Sequence, residues 1–304
     1  MPDLSVKIGS LEMKTPVMVA SGTFGYGPEY AGLVDLNKLG AMVVKGIALH
    51  PTKGNATPRT VEVPSGLINA IGLPNPGVEG FVDRYMPFLR GYDVPVIVNI
   101  WGTSVEDYVE VARRLDGVDG VHALEVNVSC PNIKEGSGVF GTDLDGFRRV
   151  VDGVRRATQL PMIPKLAPNV ADIKVFARAA EEAGADGISL INSYPALSVD
   201  VAKRRPRLAN VTGGLTGPAI HSIAVKLVWE AAAAVSIPVV GIGGITNSEE
   251  ALEFLVVGAS AVAVGTASFT HPNTALDVTD GIAAYLEAHG FSSVGELVGS
   301  MERL

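Results

Sequence analysis

Short apolar runs recur along the chain, and within each run the apolar positions are almost continuous rather than alternating. Eight stand out: Pro16–Gly22, Ala41–Ile47, Pro95–Trp101, Ala123–Ser129, Met162–Ala167, Gly187–Ser193, Val239–Ile245 and Ala261–Gly265. Continuous apolarity over a few residues marks parallel strands covered on both faces. Between several runs the period changes to that of a helix with one apolar side, as in Val105–Leu115, Asp172–Ala183 and Ser248–Val257. The phrases Ala183-Gly184-Ala185-Asp186-Gly187 and Val257-Gly258-Ala259-Ser260-Ala261 end a helix on glycine and enter a strand. Eight β/α units with no break in composition predict an α/β fold, a single (β/α)8 TIM barrel spanning residues 1–304 as one domain, ahead of an open doubly wound sheet. Leu4–Ile8 and Leu11–Lys14 alternate around Gly9-Ser10, which predicts a small N-terminal β-hairpin plugging the barrel floor. The remaining segments are expected as loops inserted over the C-terminal face.

Composition narrows the picture. Of 304 residues 18% are charged and 47% apolar, against about 25% charged in an average soluble protein, so the chain buries a large core and is not disordered. The net charge of −8 argues against a coat for nucleic acid or anionic lipid. A mean hydropathy of +0.30 raises the question of a membrane span. The longest uncharged stretch, Phe254–Leu276, is interrupted by Gly258, Ser260, Gly265, Pro272 and Asn273, and reads as buried strand plus loop. The first residues lack the basic and apolar blocks of a secretion signal, and Cys130 is the single cysteine, so a cytoplasmic protein without internal disulfides is expected. One thiol also excludes a four-cysteine iron–sulfur cluster within this chain.

In a barrel of this kind chemistry gathers at the C-terminal ends of the strands. Those ends carry Ser21, Lys45-Gly46, Asn99, Asn127-Val128-Ser129-Cys130-Pro131-Asn132, Lys165, Asn192-Ser193, Gly243-Gly244 and Gly265-Thr266. A ring of amides and two lysines around one thiol, with few carboxylates, suits recognition of a flat, polar, anionic molecule and not two-carboxylate hydrolysis. Lys165 is also compatible with Schiff-base chemistry. Three glycine clusters, Gly213–Gly217, Gly241–Gly244 and Gly265-Thr266, fall where barrels commonly bind phosphate through backbone N–H groups, with simple tight turns as the plainer reading. Gly136-Ser137-Gly138-Val139-Phe140-Gly141 has the spacing of a dinucleotide fingerprint. It does not directly follow a strand, and no acidic residue stands where the ribose would need one, so it reads as a loop able to close beside Cys130. The five histidines show no metal-ligand spacing.

Three stretches carry a resemblance. Asn127–Asn132, Asn69-Ala70-Ile71-Gly72-Leu73-Pro74-Asn75-Pro76-Gly77 and Arg205–Pro218, in this order and spacing, resemble dihydroorotate dehydrogenase over nearly the whole chain. Cysteine at position 130 is similar to the soluble class 1 of that family, and the Asn-Ala-Ile-Gly-Leu stretch to subclass 1B, the NAD-linked catalytic subunit. The resemblance implies one FMN per chain, lined by Ser21, Lys45, Gly46, Asn99, Asn127, Lys165, Ile191, Gly217, Gly243, Gly244, Gly265 and Thr266. It implies that Lys45, Asn69, Ala70, Ile71, Gly72, Leu73, Asn127, Asn192 and Ser193 hold dihydroorotate, and that Cys130 is the catalytic base. Ser193 stands where the family commonly has threonine, Thr216 where serine is common and His221 where a basic residue is usual.

The implied reaction is oxidation of (S)-dihydroorotate to orotate in pyrimidine biosynthesis. A hydride leaves C6 for the flavin and a proton leaves C5 for Cys130. Electrons would reach NAD through a partner subunit carrying FAD and a [2Fe–2S] cluster, in a heterotetramer of two catalytic and two electron-transfer subunits. Neither nucleic acid nor membrane is an expected partner. Alternatives are the fumarate-reducing subclass 1A, a dihydropyrimidine dehydrogenase module or, from another class, a lysine-dependent lyase or isomerase acting on a phosphorylated substrate.

Overall fold

In the computed structural model, residues 2–128 and 140–302 are described. The chain opens with β1 (Val6–Ile8) and β2 (Leu11–Met13), then β3 (Val17–Val19), β4 (Ala41–Ile47), β5 (Thr60–Val63), β6 (Gly66–Asn69), α1 (Gly77–Arg84), α2 (Met86–Leu89), β7 (Val96–Ile100), α3 (Val105–Leu115) and β8 (Ala123–Asn127). It continues through α4 (Leu144–Ala157), β9 (Met162–Lys165), α5 (Ile173–Glu182), β10 (Ile188–Leu190), β11 (Tyr194–Leu197), β12 (Val199–Asp200), β13 (Arg205–Pro206) and β14 (Thr212–Thr216). The last part holds α6 (His221–Ala232), β15 (Val239–Ile242), α7 (Ser248–Val256), β16 (Ala261–Val264), α8 (Thr274–His289) and α9 (Val294–Leu297).

Strands β3, β4, β7, β8, β9, β10, β15 and β16 close a parallel barrel, each falling inside one of the eight apolar runs. Alternation along each strand sorts side chains inward and outward. Met18, Ala41, Val43, Ile97, Ala123, Ile163, Val240 and Ala261 fill the lower barrel together with Ile8, Leu11 and Met13 of the hairpin. The hairpin thus plugs the floor, and Gly187 leaves room for it: a Cβ there would lie 2.7 Å from Ile8 Cγ2. Outward residues meet the helices. Tyr108, Val111, Ala112 and Leu115 of α3, and Phe147, Val150, Val151 and Val154 of α4, are fully buried against the barrel. Asp143, Asp172 and Asn247 cap the N-termini of α4, α5 and α7 with side-chain oxygens, and Ser104 with Asp107 forms a reciprocal capping box on α3. Such caps contribute on the order of 1 kcal/mol each.

Over the mouth, where loops were expected, four strands pair antiparallel in the order β11-β14-β6-β5. The segments between β4 and α1, and between β10 and α6, both leave the C-terminal ends of barrel strands, so this sheet stands on the face where chemistry gathers. Val61, Ile68, Ala70 and Leu208 give it a small core of its own. Pairing also corrects one expectation. Gly213 and Gly214 are not phosphate-binding turn residues but lie inside β14, paired with β11 and β6. A Cβ on Gly213 would lie 2.6 Å from the Asn69 carbonyl oxygen, and one on Gly214 would collide with Ser193. Those two glycines serve close packing between strands. Among the described residues no helix is long and apolar enough to cross a membrane, and no cluster of metal-binding side chains occurs.

Candidate active site

Above the apolar floor, the next inward positions are polar. Asn99 on β7, Glu125 and Asn127 on β8, Lys165 on β9 and Ser189 on β10 are all at least nine-tenths buried. Register explains why they meet: Asn99 lies opposite Glu125, Asn127 opposite Lys165, and Lys165 opposite Ser189. The Glu125 carboxylate gathers them. Asn99 Nδ2 donates to its Oε2 at 2.6 Å, Ser189 Oγ donates to its Oε1 at 2.9 Å, and Lys165 Nζ lies 3.6 Å from Oε2. A carboxylate only accepts, so the Asn99 amide must turn its NH2 group toward Glu125, which leaves Oδ1 pointing elsewhere. That oxygen is buried and has no hydrogen-bond partner among the described residues. Gly46 stands beside it, for a Cβ there would lie 2.9 Å from Asn99 Oδ1 and 3.1 Å from Trp101 Cδ1. A buried acceptor facing a place that only glycine leaves open is the geometry for receiving an N–H from a flat ring.

Lys45 and Gly46 owe their placement to a register shift in β4 between Val44 and Ile47. Irregularities of this kind re-aim side chains near functional sites. Burial pushes the Lys45 ammonium below the ordinary lysine range, Arg59 adds like-charge repulsion, and Glu29 pulls the other way. Lys45 forms no ion pair among the described residues. An anion placed there would offset both the cost of desolvating the ammonium and the repulsion from Arg59.

The 69–73 segment is held rigidly. Asn55 Nδ2 donates to the Ala70 carbonyl at 3.0 Å, and the Asn55 N–H to that of Ile71 at 3.0 Å. Thr52 Oγ1 and Asn75 Nδ2 both donate to the Leu73 carbonyl, at 2.6 and 2.9 Å. Gly72 and Leu73 take left-handed conformations with φ of 75° and 50°, and Leu73 Cδ2 comes within 3.6 Å of a Cβ on Gly46. Asn69 Nδ2 donates to the Gly214 carbonyl at 3.3 Å, next to Ser193. The Ser193 N–H donates to Asn192 Oδ1 at 2.8 Å, and Asn192 Nδ2 donates to Asn127 Oδ1 at 3.1 Å. The amides of β8, of the link between β10 and β11, and of the mouth sheet therefore form one connected wall. Tyr108 of α3 steadies it from behind by donating to the Asn127 carbonyl at 2.8 Å.

The glycine turns converge on the opposite side. Gly217, Gly243 and Gly244 have φ of 88°, 148° and 70°. A Cβ on Gly244 would lie 3.0 Å from the Gly217 oxygen, one on Gly217 3.8 Å from Thr266 Cγ2, and one on Gly243 3.7 Å from Ile191 Cγ1. Helix α6 starts here without a side-chain cap. His221 Nδ1 donates to the Gly243 carbonyl at 3.0 Å, which pins the turn. Gly265 packs near Ala20, the neighbour of Ser21, with 3.6 Å from its would-be Cβ to the alanine methyl.

The structure thus brings Gly46, Leu73 and Asn99 together and joins Lys165 to Asn99 through Glu125. It gathers Asn69, Asn127, Asn192 and Ser193 along a second flank, and Ile191, Gly217, Gly243, Gly244 and Thr266 along a third, while Lys45, just before Gly46 on β4, senses the charges of Arg59 and Glu29. Cys130, together with residues 136–139 of the glycine-rich loop, lies outside the described residues. Sequence reasoning missed Glu125, Ser189, Trp101, Arg59 and the loop-holding Thr52, Asn55 and Asn75. A signal for Glu125 was present: a lone carboxylate in the run Ala123-Leu124-Glu125-Val126-Asn127, two residues from Asn127 and hence on the same face.

A (β/α)8 barrel with an amide- and lysine-lined mouth over one buried carboxylate, and glycine turns at its last strands, defines a barrel enzyme for flat polar anions. The sequence matches the family described as dihydroorotate dehydrogenase over residues 3–286. Relatives named dihydroorotate dehydrogenase B (NAD(+)), catalytic subunit, occur in Geobacter sp. (strain M21), at 51% identity, and Pelobacter propionicus, at 52%, with 99% of each chain covered. One from Bacteroides thetaiotaomicron is 48% identical over 99% of this chain and 100% of its own. The chain belongs to the dihydroorotate dehydrogenase family, and its likeness to subclass 1B is borne out by these relatives.

Proposed function

We propose that this chain oxidises dihydroorotate to orotate as the catalytic subunit of an NAD-linked enzyme, with FMN as its resident cofactor. The observation that carries the reading is the buried acceptor Asn99 Oδ1 beside Gly46, with Lys165 held on the same Glu125 oxygen as Asn99 Nδ2 and glycine turns across the mouth. These features fit a flavin: Asn99 and Gly46 would take the polar edge of the ring, Lys165 its electron-rich side, and Gly217, Gly243, Gly244, Gly265, Thr266 and Ser21 the phosphate-bearing chain. When bound, FMN supplies the acceptor for the hydride that no side chain can take.

The chain's own residues do the rest. Lys45 meets the substrate carboxylate as a charge-assisted donor, and the carboxylate supplies the counter-charge that its desolvated ammonium lacks. Asn69, Asn127 and Asn192 present donors and acceptors to the amide edges of the ring, and the pinned 70–73 backbone closes one side. Cys130 takes the proton from C5, which requires its thiolate form. Visible absorption of the purified chain tests the cofactor, with a flavin spectrum and one FMN per chain expected. A folded chain that neither holds nor takes up FMN would overturn the reading. Cys130→Ala should abolish flavin reduction by dihydroorotate and keep the flavin, and Cys130→Ser should move the optimum to higher pH.

Electron exit to NAD runs through a second subunit, which supplies FAD and a [2Fe–2S] cluster in a cytoplasmic heterotetramer with two copies of each chain. This rests on the single cysteine, on the catalytic-subunit name of the relatives and on the absence of a convincing dinucleotide fingerprint. Rapid NADH formation by this chain alone would refute it.

A further inference from the structure

We propose that Glu125 is a positioning residue that sets both the charge balance and the hydrogen-bond polarity of the cofactor floor, an inference that rests on the flavin reading. Three donors from three different strands converge on one carboxylate that has less than a twentieth of its surface exposed. A buried carboxylate is costly unless its charge is matched and its lone pairs are filled. Here Lys165 matches the charge, while Asn99 and Ser189 fill lone pairs. The arrangement works on the site in two ways. It makes the Glu125–Lys165 pair neutral overall, so the floor carries no excess positive charge before electrons arrive. It also commits Asn99 Nδ2 downward, so that Oδ1 is the atom offered beside Gly46. Glu125 acts on any bound ring only through Asn99 and Lys165.

Charge balance provides a readout that a purely structural role would not move. Glu125→Gln keeps shape and one acceptor but leaves the floor one charge more positive, which favours the reduced, anionic cofactor. The reduction equilibrium of bound FMN, followed by absorbance against a reference dye, should shift at least tenfold toward the reduced form, about 30 mV for two electrons. Glu125→Asp keeps the charge and should return most of that shift while weakening FMN binding, because its shorter arm does not reach Asn99 and Ser189 together. Glu125→Gln/Lys165→Met restores neutrality and should bring the equilibrium back below that of Glu125→Gln. If Glu125→Gln does not fold with Lys165 unmatched, the same comparison is made between Lys165→Met and the double variant, where adding Glu125→Gln should again shift the equilibrium tenfold toward reduction. Melting temperatures that fall with no change in the reduction equilibrium, or a shift toward the oxidised form, would overturn the proposal. A parent chain that takes up no FMN defeats the flavin reading instead, so the two failures are told apart.

Discussion

Substituting Gly46 by alanine tests the geometry of the mouth most directly. The backbone at Gly46 is not in the left-handed region, so the added methyl brings no conformational strain of its own. Its cost is steric. The new carbon would lie 2.9 Å from Asn99 Oδ1, 3.1 Å from Trp101 Cδ1 and 3.6 Å from Leu73 Cδ2. Asn99 cannot retreat without stretching its 2.6 Å hydrogen bond to Glu125, and Trp101 is buried against the outer core. Overpacking of this order costs about 1–3 kcal/mol. Without a ligand, small displacements of Asn99 and Trp101 relieve part of it. With a ring seated on Asn99 they are blocked, so the penalty falls on binding as a roughly 5- to 150-fold rise in the FMN dissociation constant. Titration of the flavin-free protein, followed by quenching of flavin fluorescence, measures it. Gly32→Ala is the control: Gly32 is exposed, with nothing within 4 Å of its would-be Cβ and no positive φ. It should leave the affinity unchanged and stability equal or raised by up to about 1 kcal/mol. An affinity for Gly46→Ala within twofold of the parent would refute the placement of the cofactor edge at Asn99 and Gly46.

Three further outcomes are expected. Because burial holds Lys45 below the ordinary lysine range, orotate affinity should begin to fall with rising pH before that range is reached. Calorimetric titration should show this, and Lys45→Met should flatten the profile and weaken binding by about tenfold or more. Tyr108→Phe removes the donor to the Asn127 carbonyl and should cost about 1–3 kcal/mol, with faster amide exchange in β8 and a lowered melting temperature, whereas unchanged exchange there would contradict the brace. Burial raises the Asp107 carboxyl, but hydrogen bonds from the Thr103 hydroxyl and the N–H groups of Thr103 and Ser104, helped by His50, outweigh it and hold the group low. A depressed carboxyl stabilises above its unfolded value and loses that stabilisation as pH falls through the folded one. Asp107→Asn should therefore lower stability at neutral pH and narrow the gap to the parent in acid, as thermal melts across that range would show.

Much of the architecture was legible in the chain because barrel strands are buried on both sides. Runs such as Val239–Ile242 and Ala261–Val264 have no polar face to disguise them, and the apolar stripe of Val105–Leu115 falls at helical spacing. Once the strands are ordered, chemistry at their C-terminal ends follows from topology alone, and that is enough to single out Lys45, Asn99, Asn127 and Lys165. The mouth sheet was hidden for the opposite reason. β5, β6, β11 and β14 are only four or five residues long, β11 is largely exposed, and Asn69 meets Gly214 across 145 positions of sequence. No local pattern encodes such a partner.

Glu125 marks the boundary between the two kinds of information. Period-two alternation places it inward on the same face as Asn127, a fact of the chain by itself. That its charge is matched by Lys165, its oxygens filled by Asn99 and Ser189, and the Asn99 amide turned as a result, depends on β7, β8, β9 and β10 lying side by side in one register. The same holds for Gly213 and Gly214, whose glycine character suggested a turn and whose neighbours show a strand-to-strand contact instead. A sequence specifies which faces are apolar and where a backbone can bend, because those depend on each residue and its near neighbours. Which polar atoms are satisfied, and that Asn99 Oδ1 is left without a partner among the described residues, is decided only when distant strands close around one another.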